Sequence, residues 1–126
     1  MDPTPSIPTP NLFSLKGSNV LITGCTRGIG AACAIALAEA GASLCLVQRP
    51  GSTNLETYNT IQALGRTVKI VGCDISDLDS VRTLFQRALD AMGGEIHVLV
   101  NCAGIQRRSP AVSFSEKDWD DVRRPL

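Results

Sequence analysis

From Thr23 to Gly30 the chain reads Thr-Gly-Cys-Thr-Arg-Gly-Ile-Gly, three glycines in G-x-x-x-G-x-G spacing between an apolar run (19–23) and an alanine-rich run (31–40). A glycine turn leading from a strand into a helix can hold a nucleotide's diphosphate. It brings bare backbone N–H groups up to phosphate oxygens, and the helix dipole favours negative charge at that end. Gly24 permits a tight turn, Gly28 lets the amides approach a phosphate, and Gly30 lets helix and strand pack closely. Glycines also punctuate ordinary strand-to-helix turns; the flanking pattern is what favours the phosphate reading here.

Two more polar signals follow apolar runs. Asp74 comes after Lys69-Ile70-Val71-Gly72-Cys73, and Asn101-Cys102-Ala103-Gly104 comes after His97-Val98-Leu99-Val100. In an open parallel sheet, ligands bind beyond the carboxyl ends of the strands, where both signals fall. The plainer alternative has Asp74 capping a turn and Asn101 satisfying backbone groups at a strand end, roles compatible with ligand contact.

These residues need a scaffold, and the chain alternates in the way that supplies one. Strands are expected at 19–23, 43–48, 67–72 and 96–100, with helices at 28–40, 53–64 and 77–92 and a further helix from 115 to about 122. Such alternation implies crossovers that make a parallel sheet covered on both faces. The first helix is expected to bury Ile29, Cys33, Ala36, Leu37 and Ala40, and the third Val81, Leu84, Phe85, Ala88 and Met92. Thr53 with Glu56 and Ser76 with Asp79 have the spacing of caps for the second and third helices. Prolines at 3, 5, 8 and 10 predict a disordered arm over residues 1–11, leaving 12–126 as one domain.

Other chemistries find little support. Lys plus Arg and Asp plus Glu both number 12, interspersed, so no basic stripe suggests a nucleic-acid partner. No apolar run is long enough to span a membrane, and no secretory signal opens the chain, which makes the cytoplasm the expected compartment. Cys25, Cys33, Cys45, Cys73 and Cys102 lie at wide, irregular separations without C-x-x-C, so they read as small apolar packers and no metal is expected. His97, the single histidine, reads as a core or edge residue, since no catalytic constellation surrounds it.

With Thr23-Gly-x-x-x-Gly-Ile-Gly30, Asp74-Ile75 and Asn101-x-Ala103-Gly104 in this order, preceded by Phe13-x-Leu15-Lys16-Gly17, residues 12–122 resemble the N-terminal half of the short-chain dehydrogenase/reductase family. The resemblance implies a Rossmann-type three-layer α/β/α fold, truncated after the fourth strand and the start of the fourth helix, and a bound nicotinamide dinucleotide. It implies that Gly24, Thr26, Arg27, Gly28, Ile29 and Gly30 line the diphosphate and ribose, that Asp74 and Ile75 flank the adenine, and that Asn101, Ala103 and Gly104 lie along the nicotinamide half. The family usually shows Asn-Asn-Ala-Gly; Cys102 replaces the second asparagine here, with little loss expected.

Charge beside the adenosine ribose selects the dinucleotide, an acid favouring NAD and cations a 2′-phosphate. Neutral Gln48 stands at the acid's position, followed by Arg49 and accompanied by Arg27, which favours NADP over NAD. Family enzymes move a hydride between the nicotinamide and an alcohol or ketone, using a tyrosine with a lysine four positions on and a serine. Here Tyr58 is followed by Gln62, so no catalytic residue is expected in this chain, and a non-catalytic dinucleotide-binding or regulatory role is the alternative. Ala103-Gly-Ile-x-Arg-Arg108 and Asp118-Trp-Asp-Asp-Val122 are similar to the sugar-acid members of the family, of the 2-deoxy-D-gluconate 3-dehydrogenase type, in which Arg107 and Arg108 could clamp a small-molecule carboxylate. The ending Arg123-Arg124-Pro125-Leu126 departs from the family, as a mis-joined reading frame would, and the unpaired fourth strand predicts homo-oligomers.

Overall fold

The computed structural model describes residues 6–124. After one helical turn, α1 (Thr9–Leu12), the elements run β1 (Asn19–Thr23), α2 (Gly28–Glu39), β2 (Ser43–Gln48), α3 (Glu56–Ala63), β3 (Val68–Gly72), α4 (Leu78–Ala91), β4 (Val98–Asn101), a 3₁₀ turn (Ala111–Ser113) and α5 (Glu116–Arg123). The four strands are parallel in the order β3-β2-β1-β4. The chain therefore builds outward on one side of β1 and then crosses to the other, which puts the switch point between β1 and β4.

β1, β2 and β3 each feed two cores, because successive side chains point to opposite faces. Val20, Ile22, Leu44, Leu46 and Val68 pack with Ala34 and Ala38 of α2 and Ile61 of α3. Leu21, Cys45, Val47 and Val71 pack with Leu84 and Ala88 of α4 on the other face. The result is three layers, with the central strands buried on both sides.

Several expectations shift by a turn or a residue. Residues 9–12 form a helical turn instead of extended arm, with Pro10 in the first turn, where a missing N–H leaves no bond unmade. Residues 1–5 of the expected arm lie outside the described residues, as does Pro125. In α2 the buried face is Gly30, Ala34 and Ala38, while Ile29, expected in the core, is 81% exposed. In α4 Leu84 and Ala88 are buried, but Phe85 is 56% exposed.

The caps differ too. Ser76 donates its hydroxyl and amide to Asp74 Oδ1 (2.6 and 3.0 Å), so Asp77 caps α4 by accepting from the Asp79 amide at 3.1 Å. Thr53 caps nothing among the described residues; Asn54 Oδ1 accepts the Glu56 amide at 3.2 Å, and α3 starts later than expected. His97 sits at the entry to β4, where its Nδ1 accepts from the Asn19 amide at 2.9 Å.

Candidate functional site

The glycine turn is built by close approach as much as by φ. Gly24 has φ +64°, and a Cβ there would stand 2.6 Å from Cα and N of Ala103. The ends of β1 and β4 can touch only because that side chain is missing, and the Ala103 amide seals the contact by donating to Thr23 Oγ1 at 3.2 Å. At Gly30 a Cβ would lie 1.8 Å from the Gly24 carbonyl oxygen, so helix and turn interlock there. Gly28, at φ +58°, is the opposite case: an added Cβ meets nothing within 4 Å.

Gly24, Thr26, Arg27, Gly28, Ile29 and Gly30 line one cleft of about 810 Å³, together with Arg49 after β2, Asp74 and Ile75 after β3, and Ala103 and Gly104 after β4. The cleft lies beyond the carboxyl ends of the strands, at the switch point. Asn101 is apart from these: it ends β4 in register with Thr23 and is not among the lining residues. Its neighbour Cys102 packs against the α2-side core, so a small apolar side chain suits a position where the family usually has asparagine.

The cleft is rich in donors. No side chain caps α2, and its first turn carries no acid. The first amide to reach back along the helix is that of Ala31, donating to Arg27 O at 3.3 Å, so the N–H groups of Gly28, Ile29 and Gly30 precede the helical ladder. These unmet donors, beside an open Gly28 and two exposed guanidinium groups at Arg27 and Arg49, fit a diphosphate and its ribose phosphate.

Two features temper the charge. Hydrogen bonds from Ser76, with Arg49 close by, hold Asp74 below the usual carboxylate range, so one anion remains in the cleft at neutral pH. Gln48 is buried, with its amide donating to Asn54 O at 3.4 Å. Cys25, on the cleft floor, is pushed up to about 11 by burial and presents a neutral thiol.

Arg107 also reaches the cleft, but it does not form the free carboxylate clamp envisaged for Arg107 and Arg108. It is ion-paired with Asp118 (3.7 Å) and Asp121 (3.8 Å) of α5, and Arg108 faces the side chain of Gln106. Tyr58 lies on α3 against the core and is not a lining residue. Ser52 and Asn54, which sequence reasoning overlooked, line the cleft from the β2–α3 loop; a turn preference was visible in their residue types, but not the partner they would find. Among the described residues no group of three or more His, Cys, Asp or Glu could hold a metal ion. Likewise, no helix among them is long and apolar enough to cross a membrane.

Fold and cleft together define a doubly wound parallel α/β domain of Rossmann type, with its ligand site at the topological switch point. The model of the short chain dehydrogenase family matches residues 18–124, and the chain belongs to that family. It is 42% identical over 110 residues to the 2-dehydro-3-deoxy-D-gluconate 5-dehydrogenase of Escherichia coli K12, covering 87% of this chain and 42% of that protein. A proposed 2-deoxy-D-gluconate 3-dehydrogenase from Agrobacterium tumefaciens, solved with bound NADP, superposes with TM-score 0.71 at 38% identity, over 89% of this chain and 42% of the other. A short chain dehydrogenase from Burkholderia cenocepacia in complex with NADP gives TM-score 0.74 at 34% identity, over 86% and 44%. The chain thus spans less than half the length of these relatives.

Proposed function

We propose that the cleft binds NADP, and that the chain serves as the nucleotide-binding part of an oxidoreductase that moves a hydride between the nicotinamide and an alcohol or ketone of a sugar acid. The observation that carries this reading is the uncapped start of α2 between Arg27 and Arg49, with buried, neutral Gln48 where an NAD-selecting acid would stand. In it, the amides of Gly28 to Gly30 hold the diphosphate, and Arg27 and Arg49 hold the 2′-phosphate. Asp74 and Ile75 border the adenine, while Ala103 and Gly104 border the nicotinamide half, with Asn101 set back at the end of β4. When bound, the nicotinamide would serve as hydride donor or acceptor, and the residues of the cleft would orient it. The NADP-bound neighbours and the sugar-acid dehydrogenases among the relatives support both parts. Residues 12–126 form this domain, a homo-oligomer is its assembled form, and the cytoplasm, where thiols stay reduced, is its compartment.

Tyr58 favours a second reading for the isolated chain. As the chain's single tyrosine, packed on the core and followed four residues on by Gln62, it cannot act as the acid/base of a Tyr-x-x-x-Lys pair. Alone, the 126 residues bind nucleotide without turnover. Titration with NADPH and NADH, followed by nicotinamide fluorescence, tests both readings. NADPH should bind more tightly, and Arg49→Ala should remove most of the difference. Equal affinity for the two nucleotides would defeat the NADP assignment, and reduction of a ketogluconate by the purified chain would defeat the second reading.

A further inference from the structure

Two consecutive carbonyls of the glycine turn are held by side chains from the neighbouring βα unit. Thr57 Oγ1 donates to Cys25 O at 2.8 Å, and Asn54 Nδ2 donates to Thr26 O at 3.1 Å. Thr57 is 2% exposed, so its bond lies in the protein interior. Asn54 is fixed in turn: its Oδ1 accepts the Glu56 amide, and its carbonyl accepts from Gln48 at the end of β2.

A trans peptide points its N–H opposite to its C=O. Drawing the Cys25 and Thr26 carbonyls toward α3 therefore turns the amides of Thr26 and Arg27 away from it. Neither of those amides has a hydrogen-bond partner among the described residues, and both residues line the cleft. The same loop carries Arg49 and Ser52, so these contacts also fix the spacing between the glycine turn and the charged corner.

We infer that Asn54 and Thr57 are positioning residues for the nucleotide: they orient the glycine-turn amides for the diphosphate and hold the Arg49 loop at a set distance from them. This inference rests on the proposed NADP site and adds to it residues that act through the backbone. It accounts for a buried threonine hydroxyl on α3, and for an asparagine whose donor and acceptor groups are both used across the loop.

The test uses the full chain with three substitutions. Thr57→Val keeps shape and removes the hydroxyl, Thr57→Ser restores it, and Asn54→Asp keeps the acceptor for Glu56 while losing the donor to Thr26. NADPH binding should weaken about tenfold in Thr57→Val and Asn54→Asp, the equivalent of one hydrogen bond, and stay within about twofold of wild type in Thr57→Ser. Without nucleotide, the amide resonances of Thr26, Arg27 and Gly28 should shift in the first two variants and return in the third. Wild-type affinity in both disrupted variants, or unmoved amide resonances in them, would overturn the inference. If Thr57→Val fails to fold, Asn54→Asp, on an exposed loop, decides the matter. A folded wild type that ignores NADPH would refute the proposed function; the amide shifts still judge the clamp in that case.

Discussion

Gly28→Ala separates binding from folding more cleanly than any other change in the turn. An alanine Cβ at this position meets no protein atom within 4 Å, so packing sets no penalty. What remains is the left-handed backbone, φ +58°, which costs an L-residue about 1 kcal/mol. In a chain of this size that lowers Tm by about 3 to 5 °C. The methyl group stands among the unmet amides at the start of α2, where it keeps a phosphate from closing on them. Losing one charge-assisted hydrogen bond, about 2 to 3 kcal/mol, predicts NADPH binding weaker by about 30- to 150-fold. Gly65→Ala is the matched control: φ is +75°, no neighbour lies within 4 Å, and the residue is not part of the cleft, so it should lose the same few degrees and no affinity. Calorimetric titration with NADPH and thermal melts of the three proteins make the comparison. A Gly28→Ala variant that melts like Gly65→Ala and still binds NADPH like wild type would refute the placement of the diphosphate at these amides.

The neighbouring glycine should behave in the opposite way. Gly30→Ala drives a methyl to 1.8 Å from a backbone oxygen that cannot swing aside, so we expect about 3 kcal/mol or more of destabilisation in urea unfolding; a loss under 1 kcal/mol would show that α2 slides freely on β1. Burial pushes Cys25 and Cys45 from 9.0 to about 11, so below pH 9 both are neutral folded or unfolded, while between 9 and 11 the unfolded chain releases protons that the folded chain keeps. Stability should therefore be complete below pH 9 and fall toward pH 11 by an amount of order 2 kcal/mol per thiol, and denaturant midpoints of Cys25→Ala and Cys45→Ala should show a flatter alkaline fall; an unchanged slope would contradict the burial argument. Among the described residues strand β4 pairs only with β1, and Leu99 is 59% exposed, so the 126-residue chain should self-associate and Leu99→Lys should reduce the sedimenting mass; a wild-type monomer at high concentration would exclude this edge as the contact.

The strands were the most legible part of the chain. β1 and β2 run over the spans their apolar content indicates, because a strand buried on both faces is a short apolar block with turn residues at either end. The faces of the helices were less so. α2 is apolar nearly all round, so its composition marks no stripe, and the sheet accepts Gly30, Ala34 and Ala38 because the interlock at Gly30 demands the smallest side chains on the near face. In α4 the pattern puts both Leu84 and Phe85 in the stripe, yet they lie about 100° apart, and only the leucine packs with Val47 and Val71 in the core.

In the cleft, what the sequence conveyed was governed by range. Gly24, Gly28 and Gly30 act on backbone within a few residues of themselves, so their spacing carries their meaning. Asn54 and Thr57 act on carbonyls 28 and 32 residues away, and only the packing of α3 beside the glycine turn makes them partners. Arg107 makes the same point in reverse: beside Arg108 it reads as an anion clamp, yet α5 returns Asp118 and Asp121 to it. Those carboxylates offset the charge of Arg107 and leave Arg27 and Arg49 as the guanidinium groups of the cleft with no ion pair among the described residues, beside the β1–α2 and β2–α3 turns. Positive charge is thereby concentrated at the end of the cleft beyond β1 and β2, away from the β4 side. A phosphorylated ribose is drawn to that end by charge, and the nicotinamide half is left to the less charged end lined by Ala103 and Gly104.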